Sequence, residues 1–259
     1  MKLLLETAEN AARQAGRYIM ESISNLGRVD EKSRANLVTS VDRGSEKIII
    51  GEIRKQYPDH AILAEESGGE SVDSEFRWVI DPIDGTTNFV HGYPFFCVSI
   101  AVQKKDETVT GVVFDPFHNE MFSAIRNGGA FLNQIPISVS TICTLSESLL
   151  ATGFPYQNGK SWRHSMDLFR NFYARTHGVR RDGAAALDLC YVAAGRFDGF
   201  WEYELNPWDV AAGILMVEEA GGKSTDFRGK TSSIFDKQIL ASNEKIHGEM
   251  LEIIHSPAP

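Results

Sequence analysis

Trp78-Val79-Ile80-Asp81-Pro82-Ile83-Asp84-Gly85-Thr86-Thr87-Asn88-Phe89 decides how the rest of this chain is read. Trp78, Val79 and Ile80 make a short apolar run, as expected of a buried strand. Pro82 disfavours the helical region for the residue before it, so Asp81 is expected in extended geometry at the strand's carboxyl end. Gly85 lets the backbone come close to a ligand. Thr86 and Thr87 bring hydroxyls and, where a helical turn starts, free N–H groups that hold anions. Carboxylates repel phosphate, so two acids beside an anion site ask for a cation between them. Mg2+, a hard ion held by carboxylates plus substrate phosphate, fits that role. Asp, Pro and Gly are also ordinary turn residues, and on spacing alone both readings stand.

Upstream of this stretch, Leu4, Ala8, Ala11, Ala12, Ala15, Ile19 and Ile23 recur at helical spacing, which predicts an amphipathic helix over 2–25. Residues 26–36 are polar and read as a mobile loop. A second helix runs through Ile48, Ile49, Ile53 and Tyr57 and stops at Pro58. Thr39 and Asp42 suit its entry. A strand at 61–64 ends in Glu65 and Glu66, and 69–76 reads as a surface turn. Downstream, 95–103 and 108–114 form a hairpin that 121–124 continues as a meander, with a further turn at Asn127-Gly128-Gly129. The first half, residues 1–135, is therefore expected to be two helices against an antiparallel sheet.

From 136 to 259 strands and helices alternate, which predicts a mixed α/β half. Strands are expected at 149–152, 197–203 and 238–241. Helices are expected at 160–174, 184–194, 207–220 and 244–254. The aromatic set of the first of these, Trp162, Phe169, Phe172 and Tyr173 with Met166, reads as core. Asn206-Pro207 is a cap followed by proline, so Asp209 falls in a first helical turn, where an acid also suits the helix dipole. Glu202 lies near a strand end. Arg180 and Arg181 read as structural or interface charges. A small-molecule site is expected where the halves meet.

The chain has 259 residues, 42% hydrophobic and 24% charged, enough for one large domain or two intimate ones. A formal charge of −9 argues against a general nucleic-acid or anionic-membrane surface. Nothing approaches a membrane span, and Glu6 and Glu9 cut the opening leucines short of a signal peptide. Cys97, Cys143 and Cys190 lack metal spacing and read as small core residues of a reduced, cytoplasmic protein.

Asp81-Pro82-Ile83-Asp84-Gly85-Thr86-Thr87-Asn88-Phe89 resembles the signature of the inositol monophosphatase family of Mg2+-dependent, lithium-sensitive phosphatases. Ala64-Glu65-Glu66-Ser67 resembles its Gly-Glu-Glu-Ser segment, with Ala64 standing for glycine. Trp208-Asp209-Val210-Ala211-Ala212-Gly213 resembles its second signature, ahead of Glu219-Ala220-Gly221-Gly222. Leu37-Val38-Thr39-Ser40-Val41-Asp42 matches another family segment.

The resemblance implies a layered αβαβα sandwich of the sugar-phosphatase type and hydrolysis of myo-inositol 1-phosphate or a related phosphorylated polyol. It implies a homodimer. It assigns metal binding to Glu65, Asp81, the Ile83 carbonyl, Asp84 and Asp209. Four carboxylates and a phosphate of about two charges would be balanced by roughly three Mg2+ ions. Glu65, Asp42 and Thr86 become the catalytic group, with Thr86 and Asp42 placing the attacking water. Asp84, Gly85, Thr86, Ala185, Glu202 and Asp209 become the substrate contacts. Neighbouring activities on the same scaffold are expected to compete: fructose 1,6-bisphosphate, histidinol phosphate or 3′-phosphoadenosine 5′-phosphate hydrolysis, and a non-catalytic regulatory role. The continuation Thr86-Thr87-Asn88-Phe89-Val90-His91-Gly92 favours the inositol branch over the nucleotide branch.

Overall fold

The computed structural model describes residues 1–24, 29–33, 36–69 and 73–256. The chain opens with α1 (Lys2–Ser22). A hairpin, β1 (Val29–Ser33) and β2 (Asn36–Thr39), then leads into α2 (Ser40–Gln56). The loop expected at 26–36 is thus partly strand; 26–28 and 34–35 lie outside the described residues. The pattern there is too polar to show pairing, because neither strand has a clear apolar alternation.

An eight-stranded sheet follows. Its strands are β3 (Ala61–Ala64), β4 (Gly68–Gly69), β5 (Phe76–Asp84), β6 (Cys97–Lys104), β7 (Glu107–Asp115), β8 (Glu120–Ile125), β9 (Gly129–Leu132) and β10 (Ile135–Pro136), in the order β10-β9-β8-β7-β6-β5-β3-β4. From β5 to β10 the pairing is an antiparallel meander, as expected. The exception is β3, which pairs parallel to β5. The turn expected at 69–76 is interrupted by strand at Gly69 and Phe76, and 70–72 lie outside the described residues.

The second sheet holds β11 (Leu149–Thr152), β12 (Gly178–Arg180), β13 (Gly199–Tyr203), β14 (Lys223–Thr225) and β15 (Gln238–Ser242), in the order β12-β11-β13-β15-β14. It is mixed: β11 runs parallel to β12 and β13, and β15 antiparallel to β13 and β14. Its helices are α4 (Lys160–Tyr173), α5 (Ala185–Ala193), α6 (Pro207–Glu219) and α7 (His247–His255).

Three apolar clusters fill the spaces between layers, and they give the αβαβα order. One joins the alanine stripe of α1 and the isoleucines of α2 to one face of the large sheet. The small side chains at Ala8, Ala11, Ala12 and Ala15 let α1 approach closely. A second surrounds α5 and α6 between the two sheets. Both helices are buried nearly all round, which explains their continuous apolar sequence. The third packs α4 and α7 on the outer face of the small sheet. Only Phe172 of the α4 aromatic set is fully buried; Met166 and Tyr173 are exposed, since Ser165, Leu168 and Asn171 share the inner face with Phe172. Among the described residues no helix is long and apolar enough to cross a membrane.

Candidate active site

One face of α2 supports the site from behind. Asp42, Ser45, Glu46, Ile49 and Ile53 follow helical spacing and are all buried. Thr39 caps the helix through a reciprocal box: its hydroxyl accepts from the Val41 and Asp42 N–H groups, and its own N–H donates to Asp42 Oδ2 at 2.7 Å. Asp42 Oδ1 accepts the Thr86 hydroxyl at 2.9 Å. Ser45 donates to the Pro82 carbonyl at 2.9 Å, and Glu46 accepts the Glu66 N–H at 2.9 Å. One helical face therefore grips both acidic segments, 65–66 and 81–86.

The strand does not end at Asp81. β5 continues to Asp84 with a bulge between the two aspartates, opposite Ser99 and Cys97. The bulge turns successive acids toward one mouth instead of alternating them across the sheet. Asp81 Oδ1 accepts the Ile83 N–H at 3.0 Å. Gly85 then adopts φ 91°, and a Cβ there would lie 2.9 Å from the Phe95 carbonyl oxygen, so glycine is required for both conformation and space. The turn opens a short helix, α3 (Thr86–His91). The Thr86 hydroxyl also lies 3.0 Å from the Ile83 carbonyl. Asn88 donates to the carbonyls of Phe95 and Asp182, both at 2.7 Å, and so ties this turn to the segment before α5.

The second half closes the site with helix starts. Asp84 Oδ2 accepts the Ala186 N–H in the first turn of α5 at 2.7 Å. Asp209, in the first turn of α6, reaches back to the Asn206 N–H at 2.7 Å. Asp42, Asp84 and Asp209 thus each meet the positive end of a helix, which offsets part of their mutual repulsion. A cavity of about 270 Å³ is lined by Glu65, Asp81, Ile83, Asp84, Gly85, Thr86, Ala185, Glu202 and Asp209. All the residues expected at the site border it except Asp42, which stands behind Thr86.

The cavity is short of positive charge. Burial, then the neighbouring charges of Glu65, Asp84, Asp209 and Asp42, raise Asp81 well above the usual carboxylate range. Burial raises Asp84 to about 7 against the pull of the Ala186 N–H. Asp209 is raised well by burial and then by Asp84. A hard cation would relieve all three. The donor set fits one: it is all oxygen, and each carboxylate has two oxygens with about four lone-pair sites, of which the backbone takes few. Among the described residues no three or more His, Cys, Asp or Glu are drawn together into a set that could hold a metal ion by themselves. The acids line an open cavity instead, as suits an ion shared with a phosphate.

Residues 1–257 match the inositol monophosphatase family. The chain belongs to that family. It is 47% identical over 252 residues to an inositol-1-monophosphatase of Synechocystis, covering 96% of this chain and 88% of that protein. It is 44% identical over 266 residues to Nus factor SuhB of Pseudomonas aeruginosa, covering 100% and 98%. The crystal structure of extragenic suppressor protein suhB from Bartonella henselae superposes with a TM-score of 0.94 at 42% identity, covering 98% of this chain and 99% of that one.

In this member of the inositol monophosphatase family, several supporting residues escaped the sequence reading. Ser45 and Glu46 interrupt the apolar stripe of α2, and that interruption is the signal that could have marked them. Asn88 carried no local signal, because its second partner is 94 residues away. Arg181, read as a structural or interface charge, lines the cavity, whereas Arg180 is exposed on β12. Tyr156 lines it too. Of the cysteines, Cys97 and Cys190 are buried as expected, and Cys143 is exposed.

Proposed function

We propose that this inositol monophosphatase family member is a Mg2+-dependent phosphomonoesterase acting on myo-inositol 1-phosphate or a closely related inositol or sugar phosphate. The observation that carries this reading is the acid-lined cavity bordered by Thr86, whose hydroxyl is held by Asp42. Glu65, Asp81, Asp84, Asp209 and the Ile83 carbonyl would hold the metal; with the single Thr86 proton on the Asp42 side, the Ile83 carbonyl keeps its lone pairs for the ion. Bound Mg2+ would make coordinated water acidic and neutralise charge on the phosphoryl and leaving oxygens.

The remaining tasks fall to the chain itself. With its proton directed to Asp42, the Thr86 oxygen accepts a hydrogen bond from the attacking water and orients it in line with the phosphorus. Glu65 shares in holding that water. The N–H groups of Gly85 and Thr86 face phosphate oxygens, while Asp84, Ala185, Glu202 and Asp209 contact the polyol side. The halves 1–135 and 136–259 would both contribute, in a cytoplasmic homodimer that takes a small phosphorylated polyol and neither nucleic acid nor membrane. A panel of inositol, sugar and nucleotide phosphates, assayed for phosphate release with and without chelator, tests the reading. Fastest release from an inositol phosphate, abolished by chelator, is expected. Release from no ester, or release indifferent to chelator, refutes it.

The similarity to a protein named Nus factor SuhB favours a second reading, a non-catalytic regulatory or binding role on the same scaffold. A Thr86→Ala variant separates the two: a binding role survives it, and a hydrolytic role does not.

A further inference from the structure

We propose that Gly153 sets the position of the Glu202 carboxyl and through it the choice of alcohol, which makes Gly153 a specificity-determining positioning residue. The inference rests on the reading of Glu202 as a contact to the polyol. It begins with sheet register. β11 and β13 run parallel with Leu150 beside Gly199, Ala151 beside Phe200 and Thr152 beside Trp201. The Thr152 hydroxyl locks this register by donating to the Trp201 carbonyl at 2.6 Å. One step further along the same register places Gly153 beside Glu202, and both border the cavity.

Glu202 fills the space that a side chain at 153 would occupy. A Cβ built on Gly153 would lie 2.1 Å from Glu202 Oε1 and 2.2 Å from its Cδ and Oε2. Gly153 is not among the residues with positive φ, so its backbone does not demand glycine. Space is the reason for glycine here. The atoms in the way are the far end of a flexible side chain, so the fold can accept a methyl group if the carboxyl leaves its seat. Burial raises the seated carboxyl to about 8, with Arg181 opposing. Its two oxygens are spaced to meet adjacent hydroxyls on a ring.

The test compares wild type, Gly153→Ala, Glu202→Ala and the double variant on inositol 1-phosphate and on phenyl phosphate, which has no hydroxyls to recognise. Gly153→Ala is expected to lower kcat/KM for inositol 1-phosphate at least about tenfold, chiefly through KM, and to leave phenyl phosphate within about twofold. The double variant is expected to equal Glu202→Ala, since the methyl group acts only through Glu202. A crystal structure of Gly153→Ala is expected to show the carboxyl displaced. An unmoved carboxyl, an unchanged substrate ratio, or full additivity in the double variant overturns the proposal. So does failure of both Gly153→Ala and Gly153→Ser to fold, because the flexible end would then not have yielded. Should wild type hydrolyse neither ester, the hydrolase reading fails, and the crystal structure with calorimetric binding of inositol 1-phosphate to the four proteins still decides the role of Gly153.

Discussion

The hydroxyl of Thr86 stands 2.9 Å from Asp42 Oδ1, while Asp42 Oδ2 takes the N–H and the hydroxyl of Thr39 at 2.7 and 2.6 Å. One buried carboxylate thus starts a helix and aims a cavity hydroxyl. The cap reading and the catalytic reading of Asp42 were alternatives in the sequence, and the two oxygens let both hold geometrically.

Thr86→Ala and Asp42→Ala are therefore expected to part company. Each should lower kcat at least about a hundredfold, since each removes the orienting group. Asp42→Ala should also lose about 1–2 kcal/mol of stability with the cap. Thr86 borders the cavity, so water can replace its hydroxyl and the stability loss should be smaller. Steady-state kinetics and urea unfolding on both variants check this; equal stability losses would count against the dual role.

Asp84→Asn is expected to lower kcat at least about a hundredfold, because it removes charge from a candidate metal ligand. Mg2+ should raise the melting temperature of wild type in a concentration-dependent way, as any ligand of the folded state does, and raise that of the variant less. Normal turnover or an identical Mg2+ shift would remove Asp84 from the metal set.

Lithium is expected to inhibit uncompetitively against substrate. Li+ is near Mg2+ in size and prefers oxygen but has half the charge, so Asp81, Asp84 and Asp209 would hold it with phosphate after cleavage. Initial rates over a grid of Li+ and inositol 1-phosphate concentrations test this. A purely competitive pattern contradicts it.

His247 gives a pH dependence remote from the cavity. It is buried between the hydroxyls of Thr225 (2.9 Å) and Ser242 (2.8 Å). Burial, then the charge of Lys223, lowers its pKa from 6.5 to about 4. A depressed pKa means the unfolded chain binds the proton more readily, so stability is full above pH 6.5 and falls as pH drops toward 4. His247→Gln should flatten that slope, measured as urea midpoints at pH 7 and 4.5. An unchanged slope would show that other groups govern acid unfolding.

Much of this was legible because it is local. The helical stripe of α1, the meander from β6 to β8, the Asn206-Pro207 helix start and the acid spacing from Asp81 to Asp84 all depend on neighbours within a few residues. What escaped depends on distance or on the absence of a side chain. The parallel pairing of β3 with β5 leaves no mark that an antiparallel one would not. The hold of Ala186 on Asp84 spans 102 residues. The bulge that carries β5 past Asp81 needs β6 beside it to exist. Gly153 looks like any glycine until Glu202 is seen in its place.

The three acids seated at helix starts have an evolutionary corollary. Asp42 and Asp209 complete the first turns of α2 and α6, and Asp84 fastens α5 to the large sheet. A descendant that gave up turnover for a binding role would still draw stability from these helix-start contacts. Their survival in such a lineage would date the scaffold and not the reaction.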